Sequence, residues 1–192
     1  MSDATAEEAA LVQALRDAGF QVRSVYDLVN MKGSYKTAIP ILLEHLGRVS
    51  HPAVKEGIAR ALTVKEARGV AATPLVKAFE RAEQTMVKWA IGNALAIVAD
   101  ESVFEDIVRL VKDPQHGMAR EMLAVALGNF KTDASVETLV QLLDDEQTAG
   151  HAITALGKLK ASGARSRIEQ FLDHEKAWVR QEAKRALARM DG

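Results

Sequence analysis

The sequence predicts an all-α solenoid of paired helices, and three observations predict it. Among 192 residues, 48% are apolar, 27% charged and only 5% aromatic, with 12 glycines and 4 prolines, a balance that favours helices over strands. An Ala-Leu pair closes a helical pattern five times, at Ala61-Leu62, Ala94-Leu95, Ala126-Leu127, Ala155-Leu156 and Ala186-Leu187, and successive leucines lie 33, 32, 29 and 31 residues apart. Seven residues before each alanine stands a small or β-branched residue (Val54, Val87, Ala119, Thr148, Val179), and three before it another apolar one (Ile58, Ile91, Leu123, Ala152, Ala183). Those offsets fall on one face of a 3.6-residue period, so each segment is one amphipathic helix.

A first helix precedes each of these. Its apolar residues are Ile39, Leu42, Leu43 and Leu46 in the first unit, then Leu75, Val76 and Phe79, then Phe104, Ile107, Val108 and Val111. The fourth set is Val136, Leu139, Val140 and Leu143, and the last is Ile168, Phe171 and Leu172. Ser102-Val103-Phe104-Glu105 reads as a capping box, and Pro52 and Pro74 suit a first helical turn, where a missing N–H costs nothing. Aspartates mark the turns at Asp113, Asp144-Asp145 and Asp173. No run alternates in the manner of a strand.

Such an array needs caps, because one helix pair cannot bury its own stripe. Residues 4–18 read as the N-terminal cap, with Leu11, Val12 and Leu15 inward, Asp3, Glu7 and Glu8 at the positive end of the dipole, and Gly19 as the stop. Ser24 to about Asn30 reads as a second short helix opened by a Ser24–Asp27 capping box. The final helix, about 178–190, carries Arg180, Gln181, Lys184 and Arg185 outward as a solvated end. The expected organisation is one domain over 1–192: capping helices 1–34 and repeats 35–69, 70–102, 103–135, 136–166 and 167–192.

Composition also excludes functions. Without cysteine there is no disulfide scaffold, thiol nucleophile or thiolate metal site. No 18-residue apolar run suits a membrane span, and MSDATAEEAA has neither the basic nor the apolar region of a signal peptide, so a cytoplasmic location is expected. A formal net charge of −1 argues against a constitutive nucleic-acid binder. Phosphate loops, His-Glu-x-x-His and Gly-x-Ser-x-Gly are missing from the sequence. No cofactor and no metal are expected.

The residues Asp173, Val179-Arg180, Ala183 and Ala186-Leu187 resemble the HEAT-repeat consensus in its short, PBS-lyase-like bacterial form, over roughly residues 35–192. The turn aspartate departs from that pattern in the first two repeats, where His51 and Glu83-Gln84-Thr85 stand instead, and Ala149 replaces the basic residue of the fourth. The chain also resembles a bacterial HEAT-repeat family to which no activity attaches, through Val25-Tyr26-Asp27-Leu28-Val29-Asn30 and Gly150-His151-Ala152-Ile153. The resemblance implies a right-handed superhelix. It also implies a ladder in which the basic column Lys55, Lys88, Arg120 and Arg180 reaches turn carboxylates.

Three kinds of enzyme are built on HEAT-like scaffolds, and each needs residues that can be looked for in this chain. Di-iron hydroxylases use several His-Glu pairs, whereas this chain has one such dipeptide, His174-Glu175. Bilin lyases need an aromatic-lined groove, which 5% aromatics cannot furnish. Alkylpurine DNA glycosylases present a basic groove with tryptophans. Here Trp89 (at an exposed position of its helix) and Trp178 are available, but Glu56, Glu121 and Glu182 interrupt the basic residues, which opposes phosphate binding.

The second helices carry a stripe of small residues two positions before and after the ladder alanine: Ala59 and Thr63, Gly92 and Ala96, Ala124 and Gly128, Ile153 and Gly157. Glycine costs about 1 kcal/mol relative to alanine inside a helix, so its recurrence needs a reason. One reason is close helix packing, or helix ends at Gly128 and Gly157; the other is the approach of a partner's backbone along a smooth groove. The charged insert Thr63–Arg68 is a connector, or an extra turn offering Lys65 and Arg68 to a ligand.

The function expected is a non-catalytic protein-interaction scaffold or adaptor that binds a protein or peptide on its concave second-helix face. The expected partner-binding residues are Lys88, Trp89, Gly92, Asn93, Arg120, Glu121, Gly128 and His151. The alternative is a DNA-binding protein of the alkylpurine glycosylase kind. A monomer is the expected state. End-to-end association of the acidic first helix (Asp3, Glu7, Glu8) with the basic last one (Lys184, Arg185, Arg189) is its rival.

Overall fold

The computed structural model describes residues 3–191, and no strand occurs among them. The chain divides into two compact units, Met1–Ser102 and Val103–Gly192. No helix among the described residues is long and apolar enough to cross a membrane.

The first unit contains α1 (Asp3–Asp17), α2 (Tyr26–Val29), α3 (Ile39–Arg48), α4 (Pro52–Ala61), α5 (Ala72–Arg81) and α6 (Thr85–Val98). Leu11, Val12 and Leu15 are buried on α1, which packs against α3 and α4. Gly19 stops α1 in the expected way. At φ +93° it lets its own N–H reach the Arg16 carbonyl and the Phe20 N–H reach Leu15, the two bonds that close a helix C-terminus. The cap α2 packs on α4 where Gly57 has no side chain: a Cβ there would lie 2.4 Å from Val25 and 3.3 Å from Tyr26. First helices stack α3 on α5, second helices stack α4 on α6, and α5 pairs with α6. The phenol of Tyr35, buried, donates to the Ala61 carbonyl at 2.9 Å and so covers the C-terminus of α4.

The second unit contains α7 (Phe104–Lys112), α8 (Arg120–Leu127), α9 (Asp133–Gln141), α10 (Ala149–Leu159), α11 (Arg165–Glu169) and α12 (Ala177–Asp191). Its second helices form the stack α8, α10, α12, with α7, α9 and α11 each paired to its successor. Ile107, Val111, Leu139, Leu143 and Ile168 fill the core from the first-helix side, Leu123, Ala126, Leu127, Ala152, Ala155, Leu156, Ala183 and Ala186 from the other. Ser135 donates to the Leu127 carbonyl at 2.7 Å, closing α8 as Tyr35 closes α4.

Several local expectations are corrected. At residues 100–103 the cap is an aspartate: Asp100 Oδ1 accepts from the Ser102 N–H at 3.1 Å and its hydroxyl at 2.5 Å, and no side chain caps α7 itself. Asp27 likewise reaches one residue further back than a capping box requires and accepts from the Arg23 N–H at 2.7 Å. Its acidity is raised by that bond, which favours the carboxylate. The insert after α4 forms a 3-10 turn (Lys65–Ala67), and Arg68 donates to the Ile97 carbonyl at 2.8 Å, covering the end of α6. Gly128 does end α8, but α10 runs through Gly157 and stops at Lys160 in the left-handed conformation.

Glu7 has a larger role than a dipole partner. It accepts from the Ser50 N–H and hydroxyl (2.9 and 2.6 Å) and from the His51 N–H (2.9 Å), and these bonds hold its carboxyl below the usual range. The turn before α4 lacks the repeat aspartate, and the capping helix supplies a carboxylate there instead. Asp3, expected beside Glu7 and Glu8, has a side chain outside the described residues.

Candidate partner-binding face

The small-residue stripe is buried. Ala59, Gly92, Ala96, Ala124, Gly128, Ile153 and Gly157 all lie inside. In the second unit its purpose is close approach. A Cβ on Gly128 would lie 3.2 Å from Cα and Cβ of Ala155, and one on Gly157 would lie 2.7 Å from the same atoms of Ala186. Each glycine therefore seats the ladder alanine of the next repeat, the packing reading of the stripe rather than an open groove.

Beside this contact the second unit does expose a distinctive face. Gly150, in the first turn of α10, offers bare backbone on which Trp178 lies: a Cβ there would fall 2.1 Å from the indole. Trp178 stays 46% exposed. The His151 ring tilts 54° to the indole at a centroid distance of 5.3 Å. Two carboxylates flank that imidazole from the neighbouring helices. Glu121 of α8 is 4.0 Å from Nε2, and Glu182 of α12 accepts from Thr154 at 3.1 Å and Arg185 at 2.6 Å. Burial lowers the His151 pKa, and the attraction of Glu121 and Glu182, which would raise it, is the smaller effect. His151 is therefore neutral near pH 7, and its Nδ1 is buried without a hydrogen-bond partner.

Arg120 has a different task. Its side chain is buried, donating to Asp145 at 2.7 Å and to the Gln147 amide oxygen at 3.2 Å. This is the expected ladder rung, tying α8 to the following turn. Elsewhere the column makes other contacts as well. Arg180 donates to the carbonyls of His174 and Glu175 (2.6 and 2.8 Å), and the Lys88 ammonium stands 5.5 Å over the Phe79 ring. Glu7 and Arg185, on the two ends that the rival end-to-end reading would join, are engaged within the chain, with Ser50 and His51 and with Glu182.

In the first unit, α6 carries Lys88, Trp89 and Asn93 half-buried and Gly92 buried; Trp89, expected exposed, is largely covered. Four residues of this face stand outside the expected partner-binding set: Gly150, Thr154, Trp178 and Glu182. A signal was available. Five residues before the ladder alanine stand Glu56, Trp89, Glu121, Gly150 and Gln181, and only in the fourth repeat is that place empty. No cluster of three His, Asp or Glu side chains able to hold a metal occurs among the described residues.

Residues 70–149 match the family model of HEAT repeats. No curated protein matches the chain. Among solved structures, the chain is similar to an engineered protein (22% identity, 87% of this chain and 88% of that one, TM-score 0.56). It is also similar to a designed armadillo repeat protein (17% identity, 94% and 99%, TM-score 0.54). At those identities the likeness concerns the fold, which is the helix-pair repeat class of α-solenoids. Residues 70–149, which include the rung from Arg120 to Asp145, thus carry the HEAT-repeat pattern, and the helix pairs of the chain as a whole are similar to those of that repeat class.

Proposed function

We propose that the chain is a non-catalytic adaptor that holds a segment of another protein on its second helices, with Trp178 as the anchor. HEAT and armadillo-like scaffolds commonly mediate protein interaction. The observation carrying the finer reading is the exposed indole laid on Gly150 beside His151, Glu121 and Glu182. An aromatic side chain already held against backbone loses little freedom on binding, which is what an interface hot spot requires. The carboxylates supply polar anchors and oppose a phosphate backbone, which speaks against the DNA-binding alternative. Gly92, Gly128 and Arg120 then serve as supports rather than contacts, while Lys88, Trp89 and Asn93 on α6 offer a second stretch of the same kind in the first unit.

Affinity capture with the full chain tests this. Wild type is expected to retain a defined set of proteins that Trp178→Ala and Glu121→Lys lose at unchanged melting temperature. Retention of the same set by both variants would overturn the reading, as would salt-sensitive binding of duplex DNA in place of protein.

A further inference from the structure

The first unit holds a cleft that the role proposed for Trp178 does not use. A cleft of about 190 Å³ opens between α3, α4 and α5. Leu43, Leu46 and Pro74 give it apolar walls, and Lys55, Lys77 and Arg81 bring three cations to it. Among the described residues none of the three cations has an ion pair. The nearby acids of α3 and α4 are already engaged, Glu44 with Arg48 and Glu56 with Arg60, both at 2.7 Å.

The repeat pattern explains why the charge of Lys55 is left over. Lys55 holds the ladder position that Arg120 holds two repeats later. Arg120 closes its rung on Asp145, ten residues before Ala155; ten residues before Ala94, the place facing Lys55 in the ladder, stands Gln84. The rung has lost its acid, and the cation turns to the cleft, where Lys77 and Arg81, one helical turn apart on α5, join it.

We infer that this cleft takes an acidic side chain, Asp or Glu, of a partner protein, its aliphatic neighbour resting on Leu43, Leu46 and Pro74. Size favours one side chain, since pockets for whole cofactors or drug-sized ligands run from about 300 Å³ upward. A nucleic-acid backbone needs a long cationic track, and Glu44 and Glu56 interrupt one here. The apolar walls distinguish the site from a simple phosphate cradle, and three uncompensated cations reward a carboxylate over a neutral amide.

The test is a chemical-shift titration of the full-length, nitrogen-15-labelled protein with the peptide acetyl-Leu-Glu-Leu-amide, its Leu-Gln-Leu counterpart, and inorganic phosphate. The Glu peptide is expected to shift the amides of Gly47, Thr73 and Lys77–Arg81 saturably, with the Gln peptide about tenfold weaker. The K77E/R81E variant, altered only at exposed positions, should lose the response, and Lys55→Gln should weaken it. Trp178→Ala should leave it intact, which separates this site from the second-helix face. Equal response to both peptides, survival in K77E/R81E, or phosphate acting more strongly than the Glu peptide would overturn the inference.

Discussion

Gly150 and Gly157 sit two helical turns apart on α10 and do different work, which their substitution to alanine exposes. At Gly157 the new methyl would meet backbone and Cβ of Ala186 at 2.7 Å, so α12 must shift. The overpacking outweighs alanine's better helix propensity, and a loss of about 1–2 kcal/mol is expected in urea denaturation. At Gly150 the obstacle is the mobile end of the Trp178 indole, which can swing away. Stability should then change by less than about 0.5 kcal/mol, while tryptophan emission moves to the red as the ring enters water. A larger stability loss at Gly150 than at Gly157 would contradict this account. The sequence marked Gly157 as a glycine needing a reason and passed over Gly150, and in both cases the reason comes from a neighbouring helix distant in sequence.

At the scale of elements, a repeat column is a set of chances rather than of bonds. Lys55, Lys88, Arg120 and Arg180 occupy one position, yet Arg120 reaches a turn carboxylate whereas Arg180 donates to backbone carbonyls. Breaking that rung is asymmetric. Asp145→Ala strands a buried guanidinium, and since Asp145 is itself a third exposed, the cost is discounted to about 2 kcal/mol. Arg120→Met removes the charge and keeps apolar volume, so it should cost clearly less in the same thermal or urea melt. Equal losses would mean that the guanidinium is solvated after all. The helix pairs themselves were legible because burial repeats with the helical period, and Leu42, Leu75, Ile107, Leu139 and Ile168 are buried as that period requires. The caps were less legible. Asp100, Tyr35 and Glu7 act through hydrogen bonds whose partners are set by loop path or by distant chain, and local spacing favoured other residues.

For the whole molecule, titration of a few groups predicts how stability follows pH. His151 and His45 are both held below the ordinary histidine value of 6.5, mainly by burial. The unfolded chain therefore binds protons there that the folded chain refuses, and stability falls as pH drops below about 6.5. Glu7, held below 4.5 by its bonds to Ser50 and His51, adds a second loss at lower pH, as its carboxylate is protonated. Lys176 acts oppositely. Its bond to Glu146 raises it above 10.5, so its contribution is present below that value and disappears as pH climbs through the folded value. Melting temperatures across pH should show a plateau near neutrality. His151→Phe should flatten the first acid slope, and an unchanged slope would remove His151 from the account.

What the sequence determined by itself is periodic: the number of helix pairs, their buried faces, and the capping helix with its glycine stop. Periodicity is local and survives without knowing what lies opposite. What tertiary structure decided is who meets whom across a repeat. Trp178 lies on Gly150, Glu7 stands in for a missing turn acid, and Lys55 is left without one. Contacts between residues 28 to 44 positions apart depend on how two helices approach, and that distance is fixed by the packed side chains together, not by any one segment.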